Sequence, residues 1–287
     1  MKNHKWLSLI IVVLVLVVAS IGLFSNEFVI EKIVSNPYGD QFSLFGKGIY
    51  AYETMFKAPV LIGTDFVLLF ILIPIFVYFQ WIAKENTLVK DILILGLLTC
   101  FMYYSSSLAY GAAYNAIFAL YILLFSAVFF RMLELLIAFD YKKVAAIVSN
   151  KQPPRSVRIF LIIAGSSVLI WFVEIVASIF NGRPPLHIGM NITEPTYVKD
   201  LALILPLCWL SSYWIGQKKA SGFVVGSMML ILCASIGLIV ISQSIFQYQY
   251  EVVVSLDEML KFVVPFILLS VLSLNFFIKL VQWGTKD

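Results

Sequence analysis

Apolar residues run on for about twenty positions at a time, eight times over, at 6–24, 62–83, 91–110, 116–139, 157–180, 200–216, 222–246 and 259–281, and charged side chains almost vanish inside these runs. A helix rises about 1.5 Å per residue and the hydrocarbon core of a bilayer is about 30 Å thick, so each run is long enough, or nearly so, to cross it. Inside lipid the backbone finds no water to bond, which leaves helices and closed barrels. The runs lack the inside–outside alternation of barrel strands. The pattern therefore predicts an all-α polytopic membrane helix bundle of about eight transmembrane helices. In the first run the apolar stretch from Leu7 to Leu23 follows a basic start with Lys2 and Lys5. It exceeds the roughly 7–15 residues of a cleaved signal, so a retained signal-anchor is expected.

Between the first two runs lies the segment 25–61. Within it Phe42, Phe45, Ile49, Tyr52 and Phe56 recur at 3-4-3-4 spacing, which predicts an interfacial helix over 41–57. Gly46 and Gly48 work against it at about 1 kcal/mol per helical position. A basic segment, 141–156, holds Lys142, Lys143, Lys151 and the Pro153-Pro154 pair, with Arg155 and Arg158 at its end. It reads as a linker between a first half, 1–140, and a second, 157–287. The halves share features at nearly constant offsets: Asp65 and Asp200, Pro74 and Pro206, Trp81 and Trp214, Cys100 and Cys233. Four helices per half, starting on the same side, predict a 4+4 parallel internal repeat. Pro74, Pro206 and Pro265 each remove a backbone hydrogen bond and predict kinks.

The chain has 287 residues, 61% of them hydrophobic, and a mean hydropathy of +0.97, which leaves little for a domain in water. Its net charge of +4 conceals an asymmetry. Fourteen of the twenty Lys and Arg residues fall on the side of the chain's two ends, and most carboxylates fall on the other. Basic loops resist translocation, so both termini are expected in the cytoplasm of a cell (plasma) membrane protein. The bilayer accounts for the basic loops, and nothing points to nucleic acid. Cys100, Cys208 and Cys233 lie within runs without metal-ligand spacing, and the histidines, His4 and His187, lie outside them. No metal or other cofactor is implied.

The candidate chemistry is carboxylate and aromatic. Asp65 and Asp200 stand near the start of inward-running helices, where capping explains them as well as a solute path does. The spacing of Ser255 and Glu258 fits a capping box before the last run. Glu174 is harder to explain by capping, since it lies among apolar residues and needs a proton, a partner or water. Around the third turn of the chain, Tyr103, Tyr104, Tyr110, Tyr114 and Asn115 surround three serines and small residues suited to close helix packing. Arg131 and Glu134 are spaced for an i,i+3 pair. Residues 191–193 form a glycosylation acceptor triplet. Phosphate-binding glycine loops, a zinc-protease helix and a nucleophile elbow are all missing.

The runs Gly63-Thr-Asp65, Tyr110-Gly-Ala-Ala-Tyr-Asn115 with the aromatic stretch to Tyr121, and Thr193-Glu-Pro-Thr-Tyr197 leading to Asp200 and Pro206 resemble a group of uncharacterised bacterial multi-pass membrane proteins. The likeness covers these three places and the hydropathy. It implies membership without an activity. Taken together, the residues predict an outward-facing pocket lined by Asp65, Glu174, Asp200, Tyr104, Tyr110, Tyr114 and Asn115, which binds a small polar or cationic solute for transport or sensing. The alternatives are a membrane-embedded enzyme on a lipid-linked substrate, with a carboxyl group as acid–base, and a structural or assembly partner.

Overall fold

The computed structural model describes residues 5–29, 32–84, 87–185, 188–191, 193–252, 256 and 259–285. The capping-box run 255–258, apart from residue 256, and the middle residue of the 191–193 triplet lie outside them, as do both histidines. Eight helices among the described residues are long and apolar enough to cross a membrane, and the chain is an all-α, multi-pass membrane protein. They are α1 (Lys5–Phe24), α2 (Lys57–Ile82), α3 (Thr87–Gly111), α4 (Phe118–Ala138), then, after the short α5 (Tyr141–Ser149), α6 (Arg155–Asn181), α7 (Pro195–Gly216), α8 (Ala220–Gln249) and α9 (Val264–Thr285). Helices α3 and α8 pack against each other at the centre. Helix α8 also touches α2, α7 and α9, while α4 closes on α1 and α3.

The two ends of the bundle differ. At one, which we call the capped end, α1 runs into β1 (Glu27–Phe28), β2 (Ile33–Ser35), β3 (Gln41–Ser43) and β4 (Gly46–Lys47). Strand β2 pairs with β3 and β1 with β4, both antiparallel, so the segment doubles back as a nested hairpin. The expected helix over 41–57 does not form. Gly46 and Gly48 hold φ of +113° and +95°, a left-handed region closed to helices, and a Cβ at Gly46 would stand 2.1 Å from the Val29 carbonyl oxygen. The apolar stripe splits accordingly: Phe45 is buried edge-on against Tyr250, while Tyr52 and Phe56 are exposed. Arg183 ties the loop after α6 to this cap, donating to the Tyr38 carbonyl at 3.0 Å and standing 3.5 Å from the Asp40 carboxylate.

The opposite end is basic. Helix α5, capped by Asp140 through the Lys143 N–H, occupies most of the segment expected to be a linker and lies against α8 and α9. Lys151 donates to the Trp283 carbonyl and Lys218 to that of Ser149, so the loops at this end are laced by lysines to unpaired helix carbonyls. Arg131 and Glu134 form the spaced pair at 2.7 Å, and Arg131 also donates to Ser8 of α1.

Two spans carry a π-helical turn directly ahead of a proline, Leu68–Leu72 before Pro74 and Asp200–Ile204 before Pro206, and a third such turn, Met259–Val263, leads into α9 ahead of Pro265. A proline clashes with the carbonyl four residues earlier and cannot bond it. In each case that residue, 70, 202 or 261, lies inside the widened turn, which takes up the mismatch. The first two pairs are separated by 132 residues in both turn and proline. In that register Asp65 matches position 197, so the two aspartates stand three residues apart, on one helical face, rather than at equivalent positions.

Candidate functional site

Neither Asp65 nor Asp200 caps a helix. Helix α2 begins at Lys57 and α7 at Pro195, earlier than hydropathy marks, because Lys57, Pro59 and Pro195 fit a first helical turn although they are not apolar. Asp65 thus lies eight residues into its span and Asp200 five, about 12 Å and about 8 Å along the axis. The α7 cap is Glu194, whose carboxylate accepts the Thr196 N–H at 3.1 Å. Asp65 is completely buried, and Asp200 nearly so.

Each aspartate is held by two ring donors. The Tyr104 hydroxyl donates to Asp65 Oδ1 at 2.5 Å and the Tyr50 hydroxyl to Oδ2 at 2.7 Å. For Asp200, the Tyr103 hydroxyl donates to Oδ1 at 3.0 Å and the Trp171 indole Nε1 to Oδ2 at 2.8 Å. Tyr103 and Tyr104 are neighbours on α3. Successive helical side chains diverge by about 100°, so one helix serves an aspartate on α2 and another on α7.

The Asp65 cradle draws on four elements. Helix α1 supplies its wall: a Cβ at Gly22 would stand 2.0 Å from Asp65 Oδ2 and 2.8 Å from the Tyr50 hydroxyl. Tyr50 descends from the cap, its own N–H bonded to Asn26 Oδ1 at 3.0 Å. Burial, and then the Asp65 carboxylate beside it, push the Tyr50 phenol well above its ordinary range, so it stays a hydrogen-bond donor. Helix α2 is pinned from the far side, where the Ser242 hydroxyl donates to the Gly63 carbonyl and the Gln243 amide to Thr64. Among the described residues no lysine or arginine pairs with Asp65.

The Asp200 cradle is richer in charge. Lys199 is buried, donates to the Tyr103 carbonyl at 3.1 Å and to the Ser107 hydroxyl, and holds its ammonium 3.8 Å over the Tyr103 ring. Trp171 stacks on Tyr197 at 5.1 Å, and the Tyr197 hydroxyl donates to Glu174 Oε2. Glu174 thereby finds a tyrosine partner among the kinds its apolar surroundings require. A break at Val168 divides α6 and sets the short segment carrying Trp171 and Glu174 against α7.

Of the residues singled out in the sequence, Asp65 and Tyr104 meet in one cradle and Asp200 and Glu174 in the other. Tyr110 and Tyr114 do not join them. Both are exposed, edge-on to Phe125 and tilted against Phe118 respectively. Asn115 stands at the margin: it accepts the Ile117 N–H to shape the turn into α4 and donates to the buried Tyr121 hydroxyl at 3.1 Å. Sequence reasoning gave no role to Tyr50 or Trp171, and it placed Tyr103 in the polar hairpin without assigning its partner. The adjacent Lys199-Asp200 and Tyr103-Tyr104 pairs were the available signals.

A third carboxylate closes the cap onto the bundle. Glu53, 2% exposed, accepts the Ala113 N–H at 2.6 Å and stands 3.8 Å from Lys57, which donates to the Gly111 carbonyl at 2.5 Å. Burial raises its pKa above the ordinary carboxylate range, against the opposing pull of Lys57 and the Ala113 N–H. A cavity of about 320 Å³ opens beside the cap between Phe42, Thr54, Met55, Phe56, Gly189 and Glu251, and none of the residues predicted to line the pocket borders it. Asp65, Asp200 and Glu53 are themselves sealed, and Glu174 is half-buried. Among the described residues no three His, Cys, Asp or Glu side chains gather as a metal-binding group. No family model, curated protein or solved structure matches the chain.

Proposed function

We propose that the two aspartate cradles form the binding centre of a small cationic or polar solute, and that the protein transports or senses it across a cell membrane with the capped end outside and both termini in the cytoplasm. The observation that carries this reading is Asp65, fully buried inside a span, with two tyrosyl donors and no basic partner among the described residues. A lone charge there is costly, so the group is completed by its own proton or by a cation that arrives. Asp200 differs, since the Lys199 ammonium already lies beside it over the Tyr103 ring. The orientation rests on the basic residues gathered at one end. Access requires the spans to part. The π turn of α2 starts three residues after Asp65 and that of α7 starts at Asp200 itself, and with the prolines that follow they supply points where those helices can bend. The recurrence of that pair at a 132-residue interval supports reading the halves 1–140 and 157–287 as a duplicated unit.

The test is thermal stability of the purified protein across a panel of small cations and polar solutes, for wild type, Asp65→Asn and Asp200→Asn. We expect at least one solute to raise the wild-type melting temperature by several degrees, with the rise abolished in Asp65→Asn. A flat response of the wild type across the panel, or an equal rise in Asp65→Asn, contradicts the reading.

A further inference from the structure

At the basic end, apart from the two aspartate cradles, α6 and α7 enclose a groove of about 330 Å³ lined by Arg158, Ile162, Trp209, Ser212 and Tyr213. Two reciprocal bonds fix its floor: Arg158 Nε donates to the Ser212 carbonyl at 3.1 Å, and the Ser212 hydroxyl donates to the Arg158 carbonyl at 3.0 Å. The guanidinium is thus held by one nitrogen. Among the described residues its two terminal nitrogens have no acceptor and no carboxylate pairs with them. Gly216 gives the fork its space, since a Cβ there would stand 2.7 Å from Nη2.

The surroundings of this free charge are those of a lipid. Ile162, Trp209 and Tyr213 are exposed, and so are Ile159 and Leu210 beside them. Arg158 is three residues and Ile162 seven residues into the span that starts at Arg155, about 5 and about 10 Å along its axis. The first turns of a span adjoin the boundary between headgroups and acyl chains, where Trp and Tyr side chains concentrate. A planar guanidinium with two free donor nitrogens matches the oxygens of a phosphate, and a basic pocket between spans is a recognised form of headgroup site. Exposed Arg155 and Lys219 lie at the same ends of the two helices and add to the attraction for an anion.

We infer that this groove is a binding site for the phosphate headgroup of an anionic phospholipid, with Arg158 as the phosphate ligand and the Trp209–Tyr213 face against the acyl chains. The site is independent of the solute-binding centre.

The full chain, purified in neutral detergent, is melted in mixed micelles of phosphatidylglycerol or of phosphatidylcholine, for wild type and Arg158→Gln, and with glycerol phosphate as a soluble control. Wild type is expected to melt several degrees higher with phosphatidylglycerol than with phosphatidylcholine, and Arg158→Gln to lose at least half of that difference. In parallel, a photoreactive phosphatidylglycerol added to wild type is expected to label residues within 155–165 and 207–216. Labelling confined to other helices, or the same lipid-dependent difference in both proteins, overturns the site. An equal rise with glycerol phosphate overturns the lipid as its occupant. Should Arg158→Gln fail to fold, the wild-type labelling decides.

Discussion

A carboxyl group with a ring donor on each oxygen, set against the backbone of a third helix, leaves no room for a methyl group. Gly22 is therefore the residue of α1 on which the Asp65 cradle most depends, because its absent side chain is what lets the Asp65 carboxylate and the Tyr50 hydroxyl meet. Gly22→Ala is expected to destabilise the protein by about 1–3 kcal/mol through overpacking. It should also displace Tyr50 from Asp65. A melting temperature equal to wild type in the same detergent would show that the cradle is looser than described. The two aspartates and Glu174 were legible in the sequence because charge within an apolar run has few explanations. Of their partners, Tyr104 stood in the predicted pocket lining, whereas Tyr50 and Trp171 come from 15 and 29 positions away and are chosen by packing. The capping explanation failed for a related reason: hydropathy locates where a run becomes apolar, whereas the helix had already started at Lys57 or Pro195.

Among the elements, the hairpin cap was the part least visible in advance. The spacing of its aromatic residues fits a helix, and only the two glycines with left-handed backbone reveal the turn-rich ribbon that forms instead. The spans themselves were legible to within a few residues, and so were the three prolines. The π turns ahead of them have no signature in hydropathy. The cap is fastened by Glu53, which makes that fastening sensitive to pH. With its folded pKa raised by burial, Glu53 binds a proton in the folded chain at a pH where the unfolded chain does not. Its burial therefore costs stability above the raised value. That cost is relieved as the pH falls through the raised value towards the ordinary carboxylate value of about 4.3. Protection of the cap amides, 44–56, against hydrogen exchange should accordingly increase, after correction for intrinsic rates, as the pH is lowered through this window. Glu53→Gln should show a flatter dependence. A loss of protection over the same window, absent in Glu53→Gln, would reverse the assigned sign.

For the molecule as a whole, eight spans, with the described termini Lys5 and Thr285 at the basic end, give a topology that can be read from either side of the membrane. Asn181, exposed at the capped end, and Asn150, exposed at the basic end, are suitable places for single cysteines, because Cys100 and Cys208 are buried and Cys233 is half-buried. An impermeant thiol reagent should label Asn181→Cys in intact cells and Asn150→Cys only after permeabilisation. The reverse pattern would turn the proposed outer face inward. The identity of the solute was never legible, because two sealed carboxylates specify charge and polarity but not shape. The most direct test is infrared difference spectroscopy of the protein in lipid, with isotope-labelled aspartate, as the best stabilising solute is washed on and off. The account predicts an aspartate carboxyl band that changes with the solute in wild type and is missing in Asp65→Asn. A wild-type spectrum without any aspartate change, or one reproduced by Asp65→Asn, would contradict it.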